Sequence, residues 1–199
     1  MERGLCLLIG YLCGCYLTAE TVARRYTGQS AAQLGSGNPG MTNIAGAVGK
    51  TKGAVVLLGD IAKTILAWIL CRTLFPSLGA LSALWAGFGA VLGHNFPFWK
   101  KFKGGKGVTV TCACLILYAP GWGTLACLAG LAVTLLTGYL PVGAVLIPAL
   151  FVPAAFVLAG AEAGVLAVLL ALVMLSRHRR GLGRVLRGEE PRKFRGKQC

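Results

Sequence analysis

Seven apolar runs follow one another along the chain, and the longest gap between them is residues 20–53. They cover approximately residues 5–19, 54–71, 78–93, 107–119, 122–138, 141–159 and 160–176. A helix needs about 20 mostly apolar residues to cross a bilayer core of about 30 Å, and in lipid only helices and closed barrels satisfy the backbone. The runs predict an all-α, polytopic integral membrane protein. Prolines interrupt the later runs, so five to seven transmembrane helices fit the sequence, and about seven is our prediction.

The charged residues are few and unevenly placed. Only 13% of residues are charged while 56% are apolar, and 20 Lys and Arg face six Asp and Glu. Basic residues gather in segments 20–53 and 94–106 and after residue 176, whereas the turns between the other runs have almost none. Cytoplasmic loops of membrane proteins carry the excess of Lys and Arg. Seven spans with the N-terminus outside and the C-terminus in the cytoplasm place all three basic segments on the cytoplasmic side.

Composition also limits the partners. A chain of apolar runs offers little soluble surface to a duplex, so we expect no nucleic acid, and membrane lipids and phosphorylated substrates as the anionic partners. Seven of the eight cysteines lie inside apolar runs without CxxC spacing, and we interpret them as small buried hydrophobes rather than metal ligands. Three pairs of small residues at helical spacing predict close helix packing: Gly10/Gly14, Gly89/Gly93 and Gly160/Gly164.

The first polar segment reads Gly-Ser-Gly-Asn-Pro-Gly-Met-Thr-Asn at residues 35–43, inside the first basic loop. Its glycines free the backbone to turn N–H groups toward one point, as in phosphate-binding loops, and its side chains add neutral hydrogen-bonding groups. The residues predicted to bind substrate or phosphate are Gly37, Asn38, Gly40, Thr42 and Asn43, and Ser36 is a candidate catalytic residue. The alternative is a polar loop that only joins two spans.

The second polar segment covers residues 93–107, Gly-His-Asn-Phe-Pro-Phe-Trp-Lys-Lys-Phe-Lys-Gly-Gly-Lys-Gly. His94 closes the third span on the cytoplasmic side and is predicted to be catalytic, with a structural histidine as the alternative. Lys106 stands where the next helix begins, and a helix N-terminus adds its own positive end. The residues predicted to bind phosphate here are Lys103, Gly104, Gly105, Lys106 and Gly107.

Two further groups of charged residues complete the candidate site. At the end of the last span, Arg177 and His178 are predicted to bind phosphate and Glu190 to support them, with a solvated basic tail as the alternative. Asp60 and Lys63 lie inside the second span, where three residues of spacing put them on one helix face. Ionisable residues inside a membrane are functional by default. Because Asp60 is only about 9 Å along the span, a pair that merely positions the helix is the alternative.

These segments together resemble the bacterial membrane glycerol-3-phosphate acyltransferases that use acyl phosphate as donor. Residues 35–43, 93–108 and 177–190 match the three signatures of that family in order and spacing, and the Asp60-x-x-Lys63 pair matches too. The resemblance spans nearly the whole chain. It implies a single membrane acyltransferase domain over residues 1–199, with a basic, disordered cytoplasmic tail at residues 192–199.

The resemblance also implies an activity. The enzyme would transfer a fatty acyl group from acyl phosphate to the sn-1 hydroxyl of glycerol 3-phosphate, giving lysophosphatidic acid and phosphate in phospholipid synthesis. It implies a multi-pass protein of the bacterial cell membrane whose active site faces the cytoplasm, without a cofactor or a metal. A soluble enzyme that produces acyl phosphate is the expected protein partner.

Two positions depart from the family pattern. Gly46 stands where the family usually has an arginine, and Gly181 stands where it usually has an asparagine. Both family residues are thought to hold the phosphorylated acceptor. The candidates to replace them are Lys50, Lys52, Arg179 and Arg180.

A mechanism follows from the chemistry of the donor. Acyl phosphate is an activated mixed anhydride, so a positioned hydroxyl needs orientation and modest proton removal. We expect His94 to act as the base or to polarise the donor, and Ser36 to position a substrate rather than to become acylated. The alternative function is a membrane transporter of a phosphorylated metabolite, which should place its polar residues near the bilayer midplane between repeated halves.

Overall fold

The structure, a computed structural model, describes residues 1–192, and every regular element within them is helical. The α-helices are α1 (Glu2–Cys15), α2 (Thr18–Thr27), α3 (Met41–Ala47), α4 (Lys50–Leu74), α5 (Leu81–Asn95), α6 (Val108–Tyr118), α7 (Pro120–Thr137) and α8 (Leu140–Leu186). Short 3₁₀ turns are formed by Ala31–Gln33, Pro76–Leu78 and Phe98–Lys100. The predicted all-α class is confirmed. The predicted tail at residues 192–199 lies, apart from Arg192, outside the described residues.

Four helical stretches in the described part of the chain are long and apolar enough to cross a membrane. They are Glu2–Thr27, Lys50–Leu74, Pro120–Thr137 and Leu140–Leu186. The last stretch has 47 residues, or about 70 Å at 1.5 Å per residue, more than twice the thickness of a bilayer core. Gly160, with φ 78° and ψ −170°, interrupts its helical backbone. This break falls at the boundary between the predicted runs 141–159 and 160–176.

The chain forms two compact units, and the first comprises residues Met1–Cys114. In this unit α1 packs closely against α5 through the two predicted pairs of glycines. A Cβ added at Gly14 would lie 2.8 Å from the carbonyl carbon of Ala90, and one added at Gly93 would lie 2.8 Å from the backbone nitrogen of Cys15. Glycine therefore lets the two backbones touch, which is the packing predicted for Gly10/Gly14 and Gly89/Gly93.

Helix α4 has an apolar outer face, and its inner face carries two buried charged residues. Leu58 and Leu66 on the outer face are 65% and 51% exposed, whereas Asp60 and Lys63 on the inner face are 3% and 6% exposed. Apolar side chains on the outside suit contact with lipid, where polar groups are costly. Asp60 and Lys63 are thus directed into the first unit.

The second unit begins at Leu115 and contains α7 and α8. These helices approach each other at glycines, since a Cβ added at Gly130 would lie 2.7 Å from the carbonyl oxygen of Gly143. The prediction of helix packing was wrong for Gly160, because a Cβ added there meets no described atom within 4 Å. Gly160 instead supplies the positive φ that bends α8. Gly164 contacts the ring of Phe156 across that bend.

Candidate active site

The loop at residues 35–43 is held in shape by one buried side chain, Asn43. Its Oδ1 accepts from the backbone N–H of Ser36 at 2.7 Å and from the Ser36 hydroxyl at 3.1 Å. Its Nδ2 donates to the carbonyl oxygens of Leu34 at 2.9 Å and Ala31 at 3.3 Å. All four hydrogen-bonding positions of the carboxamide are used, so the Asn43 side chain stabilises the loop.

Two of the three glycines in this loop adopt positive φ. Gly35 and Gly37 have φ values of 49° and 72°, a region that favours glycine. Ser36 and Thr42 are exposed, while Gly37, Asn38 and Gly40 are half-buried. The loop therefore presents two exposed hydroxyl-bearing residues, and Asn43 holds the hydroxyl of Ser36. Because that hydroxyl donates to an amide oxygen, which is not a base, this contact does not activate Ser36 as a nucleophile.

The second glycine-rich segment folds back onto the end of α5. The backbone N–H of Gly104 donates to the carbonyl of Asn95 at 3.1 Å, and that of Gly105 donates to the carbonyl of His94 at 3.0 Å. Two last-turn carbonyls of α5 are thereby satisfied by the loop that leads into α6. Gly107 has a φ of 77° and marks the turn into α6.

His94 lies at the junction of α5, α4 and this loop, and its side chain is buried. Its Nδ1 is 2.9 Å from Lys63 Nζ. The opposite nitrogen, Nε2, faces Gly105 so closely that an added Cβ on that glycine would overlap it. The absence of a side chain at Gly105 is therefore what lets the imidazole edge reach the backbone of the loop.

Lys63 has three close partners, and its contact with His94 is used to assign which nitrogen of the neutral ring carries the proton. Its Nζ is 2.7 Å from Asp60 Oδ1, 2.8 Å from the carbonyl oxygen of Tyr16 and 2.9 Å from His94 Nδ1. An ammonium group has three N–H donors and no acceptor. His94 Nδ1 is therefore assigned as an acceptor, which places the proton of the neutral ring on Nε2. Thr18 Oγ1 adds a long contact of 3.4 Å to Asp60 Oδ1.

The two lysines predicted to bind phosphate lie shortly before the start of α6. Lys103 is exposed and Lys106 is half-buried, two residues before α6 begins at Val108. Helix N-termini carry partial positive charge and backbone N–H groups without helical partners. Lysines beside such a terminus make a strongly anion-attracting surface.

The third signature belongs to the second unit. His178 is fully buried in α8, with Nδ1 3.0 Å from the carbonyl oxygen of Met174, and Arg177 is half-buried. Glu190 Oε2 accepts from Arg184 Nε at 2.6 Å. The structure thus pairs Glu190 with an arginine that sequence reasoning did not select.

The two positions that depart from the family have different surroundings. Gly46 is exposed, and an added Cβ there would meet no described atom within 4 Å. Gly181 is buried, and its added Cβ would lie 2.7 Å from Pro141 Cγ. A side chain at position 181 would therefore collide with the start of α8. Of the proposed substitutes, Lys52 places its Nζ 3.8 Å from the ring centre of Tyr26, a cation–π contact, while Lys50 is exposed.

Two buried polar residues near the site were missed by sequence reasoning. Glu20 on α2 is 4% exposed and accepts hydrogen bonds from Ser30, Ala31 and Lys100. Asn95 is fully buried beside Gly107, and within residues 1–192 neither polar atom of its side chain has a hydrogen-bonding partner. No group of three His, Cys, Asp or Glu in the same range is arranged to hold a metal ion.

The chain is similar to known proteins over almost its whole length. Residues 4–188 match the family model described as glycerol-3-phosphate acyltransferase. The glycerol-3-phosphate acyltransferases of Anaeromyxobacter dehalogenans and Rhodospirillum rubrum are 38% and 36% identical to it, over 91% and 95% of this chain and 92% and 90% of those proteins. Glycerol-3-phosphate acyltransferase 1 of Lactobacillus johnsonii is 32% identical, over 92% of this chain and 88% of that protein.

Solved structures agree with this match. The crystal structure of PlsY (YgiH), an integral membrane glycerol 3-phosphate acyltransferase, in its glycerol 3-phosphate form has a TM-score of 0.85 at 26% identity, covering 96% of both chains. Its lysophosphatidic acid form has a TM-score of 0.83 at 25% identity, covering 96% of this chain and 95% of that one. The chain therefore belongs to the glycerol-3-phosphate acyltransferase family and is an acyltransferase embedded in the membrane.

Proposed function

We propose that this enzyme transfers a fatty acyl group from acyl phosphate to the sn-1 hydroxyl of glycerol 3-phosphate, giving lysophosphatidic acid and phosphate. The hydroxyl oxygen bonds to the acyl carbon while the bond from that carbon to the phosphate oxygen breaks, and the hydroxyl proton leaves with the phosphate. The observation that carries the proposal is the buried contact between Lys63 and His94 beside the glycine loop. The forms of the solved relative, with glycerol 3-phosphate and lysophosphatidic acid, support the same acceptor and product. Family membership favours this enzyme over a transporter.

Both substrates of this reaction carry phosphate, so the site needs separate groups of cations and N–H donors. The backbone of residues 35–43 offers one such group and residues 103–107 at the start of α6 offer another. Arg177 and His178, in the second unit, are proposed to bind phosphate as well. Phosphate contacts of the two loops in the first unit orient the acceptor hydroxyl toward the donor carbonyl, and orientation is a large part of the catalysis that an activated donor needs.

His94 is proposed to polarise the donor. With Nδ1 accepting from the Lys63 ammonium, the ring carries its N–H at Nε2, on the side that faces the second glycine-rich loop. Of the two roles predicted from sequence, base or polariser, this arrangement supports the second. A donor aimed at the oxygen where charge develops stabilises the transition state. The neighbouring Asp60 balances the charge of Lys63 and keeps it in place.

The donor can be tested directly on detergent-purified protein with labelled glycerol 3-phosphate. We expect turnover with a long-chain acyl phosphate and none with the matching acyl-CoA, because no soluble domain is present among residues 1–192 to hold a nucleotide. The variant His94→Ala serves as the low-activity control. Turnover with acyl-CoA and none with acyl phosphate would show that the proposed donor is wrong. A soluble enzyme that produces acyl phosphate is the proposed partner.

We further propose seven spans in a bacterial cell membrane, with the N-terminus outside and the active site facing the cytoplasm. Each predicted apolar run contains helix, and the break at Gly160 separates the last two. Single cysteines at the exposed positions Gln33, Lys101 and Glu189, in a cysteine-free background, test the orientation. We expect an impermeant thiol reagent to label all three in inside-out vesicles and none in intact cells. Labelling of any of them from outside would refute the topology.

A further inference from the structure

Glu20 is a buried carboxylate that none of the proposed catalytic steps uses. Its Oε1 accepts from Arg24 Nε at 2.8 Å. Its Oε2 has three donors: Lys100 Nζ at 2.6 Å, Ser30 Oγ at 3.0 Å and the backbone N–H of Ala31 at 3.1 Å. One oxygen atom therefore joins α2 to two other segments of the chain.

Those two segments lead into the two glycine-rich loops of the first unit. Ser30 caps the 3₁₀ turn Ala31–Gln33, which runs directly into residues 35–43. Lys100 ends the 3₁₀ turn Phe98–Lys100, which comes just before residues 103–107. Ser30 and Lys100 are also 3.2 Å apart through Oγ and Nζ, so the three side chains form one network.

The strength of this network depends on its burial. The side chains of Glu20 and Lys100 are 6% and 18% exposed, whereas that of Arg24 is 62% exposed. Exposed ion pairs contribute little, but a charge-assisted hydrogen bond shielded from water is stronger, and losing one partner leaves a buried charge uncompensated. The ion pair between Glu20 and Lys100 therefore contributes more to stability than the local pair between Glu20 and Arg24.

We propose that Glu20 is a positioning residue that fixes the distance between the two glycine-rich loops. This inference rests on the proposed function, in which the loops bind the phosphates of the two substrates. The carboxylate touches neither substrate and acts through Ser30, Ala31 and Lys100. A shift of about 1 Å between bound reactants can lower the rate about 10²-fold, so loosening this link should reduce kcat more than it raises KM.

Hydrogen exchange in detergent, followed by mass spectrometry without substrate, tests the link by itself. Glu20→Met removes the acceptor at similar length and should speed exchange in both loops. Ser30→Ala should affect mainly the first loop, and Lys100→Met mainly the second. Glu2→Met is the matched control, because Glu2 accepts from the exposed Ser77 hydroxyl at 2.7 Å and lies outside both loops.

Kinetics then separates the positioning role from a general loss of structure. We expect Glu20→Met to lower kcat by about 10-fold or more, Glu20→Gln to be intermediate because it keeps an oxygen acceptor, and Glu2→Met to match the parent. Should Glu20→Met fail to fold, Ser30→Ala and Lys100→Met must still each loosen their own loop. Unchanged exchange in both of these variants, or equal kinetics for folded Glu20→Met and Glu2→Met, overturns the proposal. An inactive parent would refute the proposed reaction but leave the exchange test intact.

Discussion

The substitution Gly105→Ala tests whether the position of the His94 ring matters. A Cβ at residue 105 would overlap Nε2 and lie 2.9 Å from Cδ2 and 3.0 Å from Cε1 of His94. Optimal separation between non-bonded carbon atoms is about 3.5 Å or more, so the ring must move by on the order of 1 Å. Lys63 holds the other side of the ring at 2.9 Å, and this contact is lost or strained when the ring moves.

The expected cost follows from that displacement. A misplacement of about 1 Å lowers rates about 10²-fold, and a group that donates to the developing charge is worth about 10²–10³ in kcat. We therefore expect Gly105→Ala to lower kcat by about 10²-fold. The backbone bond from Gly105 to the carbonyl of His94 needs no side chain and remains available, so the protein should fold.

The assay is steady-state kinetics on detergent-purified protein that elutes like the parent on gel filtration. Gly4→Ala is the matched control, since its added Cβ meets no described atom within 4 Å. If Gly105→Ala acts through the ring, adding it to His94→Ala should cause little further loss, because residues that act as one unit are not additive. Near-parental kcat in folded Gly105→Ala would show that the ring position is irrelevant to catalysis.

Two further predictions concern the charges around this histidine. His94→Ala should lower kcat about 10²-fold or more, whereas Lys106→Ala should mainly raise KM, because a phosphate contact acts on ground and transition states alike. Equal effects of the two changes on KM would contradict this division. Lys63→Met should destabilise the protein by about 3–5 kcal/mol by leaving the Asp60 carboxylate buried and unpaired. Adding Asp60→Asn should restore most of the melting temperature, and no recovery would refute the pairing argument.

The helices were largely predictable because lipid leaves a chain few choices. A backbone inside a bilayer must satisfy its own hydrogen bonds, so long apolar runs form helices. The first run, 5–19, nevertheless contains a break that its composition does not reveal. Helix α1 ends at Cys15 and α2 begins at Thr18, and the carbonyl of Tyr16 in the gap accepts from Lys63. A lysine 47 positions away uses the carbonyl that the break leaves outside both helices, and sequence periodicity contains no such information.

The sequence predicted that small residues are sites of close helix packing, but it did not show which glycine bends a helix instead. Gly10 and Gly14 pack against α5 as expected, whereas Gly160 bends α8. Glycine serves both purposes, because it lacks the side chain that prevents close approach and also tolerates positive φ. Only the position of the neighbouring helix distinguishes the two roles.

Motifs selected the candidate site residues of the first unit, and the contacts in the structure distinguish the roles that we propose for them. Asn43 was grouped with the phosphate-binding residues, yet its carboxamide is fully engaged in holding the loop. The sequence left open whether the Asp60–Lys63 pair positions α4 or serves the reaction. The contact with His94, 31 residues further along, favours a role in orienting the histidine. Side chains of the same type in one motif can thus bind a ligand or build the loop.

Glu20 had no motif to reveal it, because its ion-pair partner Lys100 is 80 residues away. The scarcity of acidic residues in this chain was the available signal. The whole chain has six acidic residues against 20 Lys and Arg, and a carboxylate placed in a basic loop beside a membrane span needs a reason. In the first unit the two buried carboxylates, Asp60 and Glu20, each bind a lysine that contacts a proposed functional segment. In a basic membrane enzyme that gathers cations for phosphate, the few buried anions therefore bind other lysines and fix the segments beside the proposed phosphate-binding groups.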